Sequence, residues 1–442
     1  MTSNIHNPGN IPPRIRRPIA IDLFSGAGGM SLGFEQAGYD VVAAIEYDPV
    51  HAATHLFNFP MCEVVCRDVS KLSSKEILAA AERGFKRIHP KSLWEGRIDT
   101  IIGGPPCQGF STGGKRDSND ARNNLVLEFV RIVEQLRPQT FCLENVAGLL
   151  EEKFVTVRAA AFSRLRSAGY SLSGTTAPVN SARFGVPQNR RRVIVMGNLN
   201  GPEPQPPAEA NTRLTVRDAF EGLPSPLHYP QLLSGDAIEL NERDIERRLS
   251  INGDYALGLS GRTPIKGSKS RPRLWNPDTI TGSRRTVHTT ETIRRFEATS
   301  QGEVEPVSRL YRLSFDGVSR TLRAGTGSER GAHTSPRPIH PVENRVITVR
   351  EAARLHGYPD WFRFHTTNWH GHRQVGNSVP PPLARAAGES LLNSIEYSPG
   401  RLRRVQPLGN PSLLRLSRVG AASLLGAQIE EIPAPRARRQ VD

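Results

Sequence analysis

The sequence predicts an α/β protein built on a mostly parallel sheet with helices on both faces, joined to a smaller and less regular second region. Three observations carry that expectation. Short apolar runs alternate with amphipathic stretches from Ile19 to about Met196, the rhythm of a chain that passes from strand to strand through helices. A glycine-rich turn, Ser25-Gly-Ala-Gly-Gly29, follows the first of those runs directly. The texture then breaks at Gly201-Pro-Glu-Pro-Gln-Pro-Pro207, where closely spaced prolines can continue neither element.

Taken in order, Pro18–Phe24 reads as the first strand and Met30–Gln36 as the helix after the turn. Strands Tyr39–Ile45 and Glu63–Cys66 come next, then a helix over Ser74–Arg83. Ile98–Ile102, Thr140–Leu143 and Arg192–Met196 are further strands by their apolar, β-branched content, with helices Leu125–Leu136 and Val155–Ala168 between them. Residues 198–344 are rich in Arg, Gly, Thr and Pro and show no sustained period, so their fold is not legible. Helices return at Thr348–His356, stopped by Gly357-Tyr-Pro359, and at Pro382–Ile395, whose leading prolines sit where missing N–H groups cost least. The stretch 398–442 is Arg-rich, Pro-punctuated and weakly apolar, which predicts that most of it is disordered.

Composition narrows the function. The 442 residues carry a net charge of +15, and 37% are hydrophobic. The apolar runs are far shorter than the ~20 residues that cross a bilayer, and the polar start Met1–Asn10 is no signal peptide. A cytoplasmic protein without membrane partners is expected. Four cysteines cannot make a disulfide scaffold in so long a chain. Cys62 and Cys66 lack a second ligand pair at finger spacing, so no metal site is expected. The positive charge is localised: residues 262–350 hold 17 Lys+Arg against 8 Asp+Glu, and residues 401–442 hold 8 against 3. Such clustering suits a polyanion such as nucleic acid.

The glycine turn at Gly26, Gly28 and Gly29 lets the backbone approach a ligand, and the helix behind it offers free N–H groups. A dinucleotide fingerprint would need glycine at position 31, where Ser31 stands. Glu46, 18 residues after Gly28, ends the next strand, where a carboxylate can accept from both ribose hydroxyls. Asp68 ends the third strand within reach of a base amine, and Phe24 and Tyr47 can flank an adenine. A nucleoside cofactor follows, though not a dinucleotide. The segment Gly109–Lys115 imitates a phosphate loop, but Arg116 replaces the hydroxyl that would hold magnesium, which excludes ATP hydrolysis.

The fourth strand ends in Gly103-Gly-Pro-Pro-Cys-Gln-Gly-Phe-Ser111. Adjacent prolines stiffen the approach to Cys107. The fifth strand ends in Leu143-Glu144-Asn145-Val146, and Gln188-Asn-Arg190-Arg-Arg192 leads into the last one. Residues 188, 190 and 192 share one face if that strand extends back so far. A thiol, a carboxyl and two guanidiniums, Arg190 and Arg192, could then converge on one pocket. Such a group suits nucleophilic addition to a planar, electron-poor ring.

DLFSGAGG (22–29), GGPPCQGFS (103–111), LENV (143–146), QNRRR (188–192), RVITVREAARLHGYP (345–359) and GNSVPP (376–381) together resemble the cytosine carbon-5 DNA methyltransferases that use S-adenosylmethionine. The resemblance covers about 18–197 and 345–395. It implies a Rossmann-like class I methyltransferase domain over 18–197 behind a tail 1–17, a target recognition domain over 198–370, a returning segment over 371–397, and the basic tail 398–442. It makes Cys107 the nucleophile at cytosine carbon 6, with Arg190 favouring the thiolate. Glu144 would hydrogen-bond the ring and donate a proton, which needs a raised pKa, and Arg192 would hold the carbonyl oxygen.

For the cofactor the resemblance implies Phe24 on the adenine, Glu46 on the ribose, Asp68 on the adenine amine, and Pro106 and Leu125 in the same wall. Asn377 and Ser378 would lie near the methionine end. Gln108, Ser111, Arg320, Thr321 and Arg323 are the expected DNA contacts; Arg320-Thr-Leu-Arg323 resembles the Thr-Leu step of the family's recognition regions. The target cytosine must leave the stack to be reached. The partner implied is double-stranded DNA, met by a monomer, with a cognate restriction endonuclease acting on the same site without a stable complex. The rival is an RNA (tRNA) cytosine-5 methyltransferase of the same fold, but the chain lacks its Cys-Phe-Thr signature. His370 and His372 are expected at the surface, and the eight arginines of the tail are expected to add non-specific DNA affinity.

Overall fold

The computed structural model describes residues 17–106, 124–174, 176–325 and 337–427. The chain's most apolar runs lie at the centre of one sheet. β1 (Ile19–Leu23) and β2 (Asp40–Ile45) are buried along their whole length, as parallel strands covered on both faces must be. β3 (Glu63–Val65), β4 (Thr100–Gly103) and β5 (Thr140–Val146) continue the parallel set. β6 (Tyr170–Ser173), β7 (Val179–Asn180) and β9 (Arg191–Leu199) complete a sheet of order β3-β2-β1-β4-β5-β9-β6, with β7 on β9. A short β8 (Gln188–Asn189) precedes β9.

The last expected strand extends the sheet in the opposite sense. β9 runs antiparallel to β5 and β6, returning between them, so the sheet is mixed at that edge. β6 was not legible, because Tyr-Ser-Leu-Ser is too short and polar to stand out. α2 (Pro49–Asn58) was also missed, although Asp48 caps its N-terminus and Pro49 occupies the first turn.

Helices cover both faces. α1 (Gly29–Ala37) is buried at every residue, and α3 (Ser74–Ile88), opened by a Ser73/Glu76 capping box, packs on the other face with α4 (Asn124–Leu136) and α5 (Val155–Ser167). Beyond β9 come α6 (Val216–Phe220), α7 (Glu242–Leu249), α8 (Asp254–Leu259) and α9 (Thr290–Glu297). β10 (Ala237–Glu239) pairs antiparallel with β11 (Thr279–Thr281), and β12 (Ser319–Arg320) pairs parallel with β8. α10 (Val349–Leu355), α11 (Asn368–Asn377) and α12 (Pro381–Ser394) follow, and α12 lies on α1. A Cβ on Gly33 would stand 2.4 Å from Ala384 Cβ, so the two helices touch backbone to backbone.

Two expectations fail here. The tail is folded as far as it is described: Leu413, Leu414 and Ala421, the last on α13 (Arg418–Leu424), are buried against Ala53 and Phe57 of α2. Few apolar residues suffice because α2 already offers a matching face. The basic surplus of 262–350 is also only partly at the surface. Arg271, Arg273, Arg312, Arg345 and Arg350 are buried. Arg271 pairs with Asp40 at 2.9 Å and Arg273 with Glu35 at 2.6 Å, fastening the recognition region to the first domain.

Candidate active site

The chain winds outward from β1 to β3 and then returns to place β4 on the other side of β1, so the sheet reverses its order between β1 and β4. Crevices at such points, beyond the strands' carboxyl ends, are where ligands bind. Leu23 lies opposite Gly103, and Gly103 opposite Leu143. The glycine turn, the Gly104-Pro-Pro106 loop and Glu144 therefore stand side by side by register alone.

The turn itself is strained in a useful way. Phe24, Gly26 and Gly28 have φ of 61°, 56° and 104°. A Cβ on Gly28 would meet Phe59 at 2.6 Å, which excludes any larger residue, whereas one on Gly26 would meet nothing within 4 Å. Gly26 thus borders open space. Glu46 holds the turn: its Oε2 accepts from the Gly26 N–H at 2.7 Å and its Oε1 from that of Asp48 at 2.8 Å. Burial raises its pKa. Asp68 accepts from the Ser70 N–H and hydroxyl at 2.9 and 2.8 Å, capping a single 3-10 turn. Tyr47 is half-buried beside Cys66, whose thiol, pushed up to about 12 by burial, faces the Tyr47 carbonyl at 3.9 Å.

The late GNSVPP segment closes the wall. A Cβ on Gly29 would meet Tyr358 Oη at 2.4 Å, the Val379 carbonyl at 2.5 Å and Ser378 Cβ at 3.0 Å. Ser378 is buried and donates its hydroxyl to the Val375 carbonyl at 2.8 Å, while Asn377 is exposed at the end of α11. Pro106 is exposed and Leu125 half-buried. Beneath the turn lies Asp22, its pKa raised to about 7 by burial; Oδ2 accepts from the Ser31 hydroxyl at 2.5 Å. Asp22 Oδ1 and Ser25 Oγ are buried without a hydrogen-bond partner. Unpaired buried polar atoms around a glycine turn that borders open space fit a polar nucleoside ligand.

On the neighbouring strand ends, Arg192 Nε lies 2.7 Å from Glu144 Oε1, and both side chains are nearly buried. The other carboxyl oxygen faces the approach to Cys107: a Cβ on Gly104 would stand 2.9 Å from Oε2. Asn145 donates its side-chain amide to the Pro105 carbonyl at 3.3 Å, bracing the same loop. Cys107, Gln108 and Ser111 lie outside the described residues.

Arg190 is braced from the recognition region and the late segment. It is 1% exposed, and its guanidinium donates to the carbonyls of Leu322 at 3.1 Å and of Gly376 and Ser378 at 2.9 Å each. Its charge joins the recognition region to the GNSVPP segment, while Arg192 pairs with Glu144. Residue 190 falls between β8 and β9, yet burial still alternates through the segment, with Gln188 and Arg190 buried and Asn189 and Arg191 exposed. Gln188 does related work that sequence reasoning missed. Its amide donates to the Leu355 carbonyl and His356 Nδ1 and accepts from the Leu322 N–H. A glutamine leading a basic run was the only signal.

In the recognition region Arg320 and Arg323 are exposed. Thr321 donates its hydroxyl to the Asn189 carbonyl at 2.7 Å, so that proton is spent internally. The histidines are not at the surface. His372 is buried and His370 half-buried against Trp369, with burial lowering both pKa values. Among the described residues no group of three His, Cys, Asp or Glu could hold a metal ion, and no helix is long and apolar enough to cross a membrane.

A reversing sheet, a glycine turn with a carboxylate on the next strand, and a carboxyl–guanidinium pair beside it define a class I methyltransferase built to act on a ring. The comparisons name the kind. The sequence model for the C-5 cytosine-specific DNA methylases matches residues 19–393, and the chain belongs to that family. It is 45% identical over 431 residues to the Type II methyltransferase M.XorII of Xanthomonas oryzae pv. oryzae, covering 95% of this chain and 97% of that one. It is 30% identical to the Type II methyltransferase M.AgeI of Thalassovita gelatinovora, covering 85% and 99%. A solved E. coli structure, assigned provisionally as a prophage-encoded DNA modification methyltransferase, superposes with TM-score 0.67 at 33% identity, covering 86% of this chain and 99% of that one. The protein is a DNA (cytosine-5) methyltransferase with S-adenosylmethionine as methyl donor.

Proposed function

We propose that this chain is the modification enzyme of a restriction–modification pair, acting as a monomer in the bacterial cytoplasm to methylate one cytosine within one short duplex motif. The relatives that match it over nearly their full length are Type II methyltransferases, which supports the pairing with an endonuclease. The observation that carries the chemistry is the Glu144–Arg192 pair beside the loop that leads to Cys107.

S-adenosylmethionine supplies an electrophilic methyl group when bound. Phe24, Glu46, Tyr47, Asp68, Pro106, Leu125, Asn377 and Ser378 would hold it around the glycine turn. The Cys107 thiolate adds to carbon 6 of the flipped-out cytosine, which breaks aromaticity and makes carbon 5 nucleophilic. Glu144 hydrogen-bonds ring nitrogen 3 and the exocyclic amine, and Arg192 turns from the carboxylate to the carbonyl oxygen, stabilising charge as it develops. Once carbon 5 carries the methyl group, a base takes the carbon-5 proton, and elimination releases the thiolate. Gln108, Ser111, Arg320, Thr321 and Arg323 contact DNA around the extruded base, and phosphate contacts offset the few kcal/mol lost in unstacking.

The test is mechanism-based trapping. Duplex DNA carrying 5-fluorocytosine at the target position, incubated with protein and methyl donor, should yield an adduct that survives denaturing electrophoresis, and Cys107→Ala should yield none. Bisulfite sequencing of host DNA after expression identifies the motif. A wild-type protein that leaves host cytosines unmarked and forms no adduct defeats this reading.

A further inference from the structure

Beside the Thr-Leu step the recognition region holds a cavity of about 400 Å³ lined by Asn189, Arg309, Tyr311, Arg320, Arg323 and Arg337 among others. Among the described residues four guanidiniums line it, and no Asp or Glu does. Among the described residues none of the four is in an ion pair, unlike Arg271 and Arg273, which fasten this region to the first domain. A concave surface with uncompensated positive charge suits a nucleotide of the substrate.

One of the four is held in a fixed plane. Arg320 Cζ lies 3.9 Å from the centroid of the Tyr311 ring. A guanidinium stacked on an aromatic face keeps its N–H edge free, and that edge makes two parallel hydrogen bonds to a pair of adjacent acceptors. In the major groove only guanine offers two, O6 and N7; adenine pairs an acceptor with a donor, thymine an acceptor with a methyl, and cytosine shows a donor. The same residue is tied to the catalytic strand. Arg320 pairs with Asn189 in the β12–β8 ladder, Thr321 donates to Asn189, and Leu322 is gripped by Gln188 and Arg190. From Asn189 to Arg192 is three residues, about 10 Å of strand, or roughly three base pairs at 3.4 Å each.

We propose that Arg320, held flat against Tyr311, reads one guanine of the target motif within about three base pairs of the methylated cytosine, and that Tyr311 is its positioning residue. Arg309, Arg323 and Arg337 hold the phosphates on either side. The inference rests on the reading that this chain methylates a short duplex motif.

The test compares the intact chain with Arg320→Ala, Tyr311→Leu and Tyr311→Phe; Arg320 is exposed, and Tyr311 lines the pocket with its inner side against the core, so the Phe variant controls for packing. Host DNA is mapped by bisulfite sequencing, and turnover is measured on duplexes in which each guanine of the motif is replaced by 7-deazaguanine, which lacks the N7 acceptor. Arg320→Ala should relax the motif at one guanine, lowering discrimination there by roughly 5- to 150-fold. Tyr311→Leu should relax the same position, and Tyr311→Phe, which keeps the ring, should restore it. The 7-deaza substitution at that position should weaken the intact protein and leave Arg320→Ala indifferent, a comparison that binding alone can read if the variant turns over slowly. An unchanged motif with a salt slope shallower by about one would make Arg320 a phosphate contact and overturn the proposal. An unchanged motif with an unchanged slope would overturn it too. Either result leaves the methyltransferase reading standing, because the intact protein still marks its motif; only failure of the intact protein removes that.

Discussion

Arg192 and Glu144 meet across an antiparallel ladder as diagonal neighbours. Arg192 lies opposite Val146 in the register, Glu144 is two residues back on the same face, and Nε and Oε1 are 2.7 Å apart. Diagonal same-face contacts are within reach of long side chains. The antiparallel return of β9 is what creates the pair, because it brings the N-terminal end of β9 to the carboxyl edge of β5.

The first prediction concerns this pair. Glu144→Gln keeps the shape and removes the carboxyl, so kcat should fall by roughly 10²- to 10⁴-fold, the usual worth of a positioned proton donor. Affinity for duplex DNA, read by gel shift, should change little. A variant that turned over at the wild-type rate would remove Glu144 from the chemistry.

Arg190 should behave as a brace. Arg190→Lys keeps the charge but cannot span the carbonyls of Leu322, Gly376 and Ser378 together. The expected loss is about 1–3 kcal/mol for each carbonyl left without a partner. Hydrogen exchange should quicken at 319–322 and 376–378 in the variant, with smaller changes in α3 and α4.

Gly33→Ala should loosen the seam between α1 and α12. The added methyl would stand 2.5 Å from the Pro381 carbonyl and 2.8 Å from the Arg385 nitrogen, both backbone atoms that cannot turn aside. Overpacking of this kind costs about 1–3 kcal/mol, measurable as a lowered urea midpoint.

The buried histidines fix a pH dependence. Burial lowers His55 from 6.5 to about 3, and holds His356 and His372 well below their ordinary value. Each binds a proton only when the chain unfolds. Stability is therefore full above about 6.5 and falls as the pH drops toward the folded values, by about 1.4 kcal/mol per pH unit for each histidine once its unfolded form is fully protonated. Urea unfolding between pH 7 and 5 checks the sign, and His55→Gln should make the slope shallower by one histidine's share.

Leu414→Ala tests the folded tail. Leu414 is fully buried against α2, and the Thr366 N–H donates to its carbonyl at 2.9 Å. The loss should be about 2–5 kcal/mol, as for other buried leucines. An unchanged melting temperature would return these residues to the status of a loose appendage.

How much could be read in advance differed by element. The strands β1, β2 and β4 and the helices α3, α4 and α5 were legible because their pattern answers to burial in a two-faced sheet. β6 and α2 were not, since one is four residues long and the other signals itself by a cap more than by a period. In the site, Glu46 and Glu144 stood out by their positions at strand ends. The bracing by Gln188 and Arg190 did not, because their partners here are backbone groups more than 130 residues away in the chain, and a backbone group has no signature in sequence.

By itself the amino-acid sequence determined the class of sheet, the glycine turn and the family. Those are properties of local pattern and of residue type. Only the tertiary structure decided which arginine meets Glu144, that the tail packs on α2, that five arginines of the basic region are buried, and that Arg320 lies against Tyr311. The physical reason is that hydrogen bonds and ion pairs are settled by which groups burial leaves without water, and that depends on segments far apart in the chain being brought together.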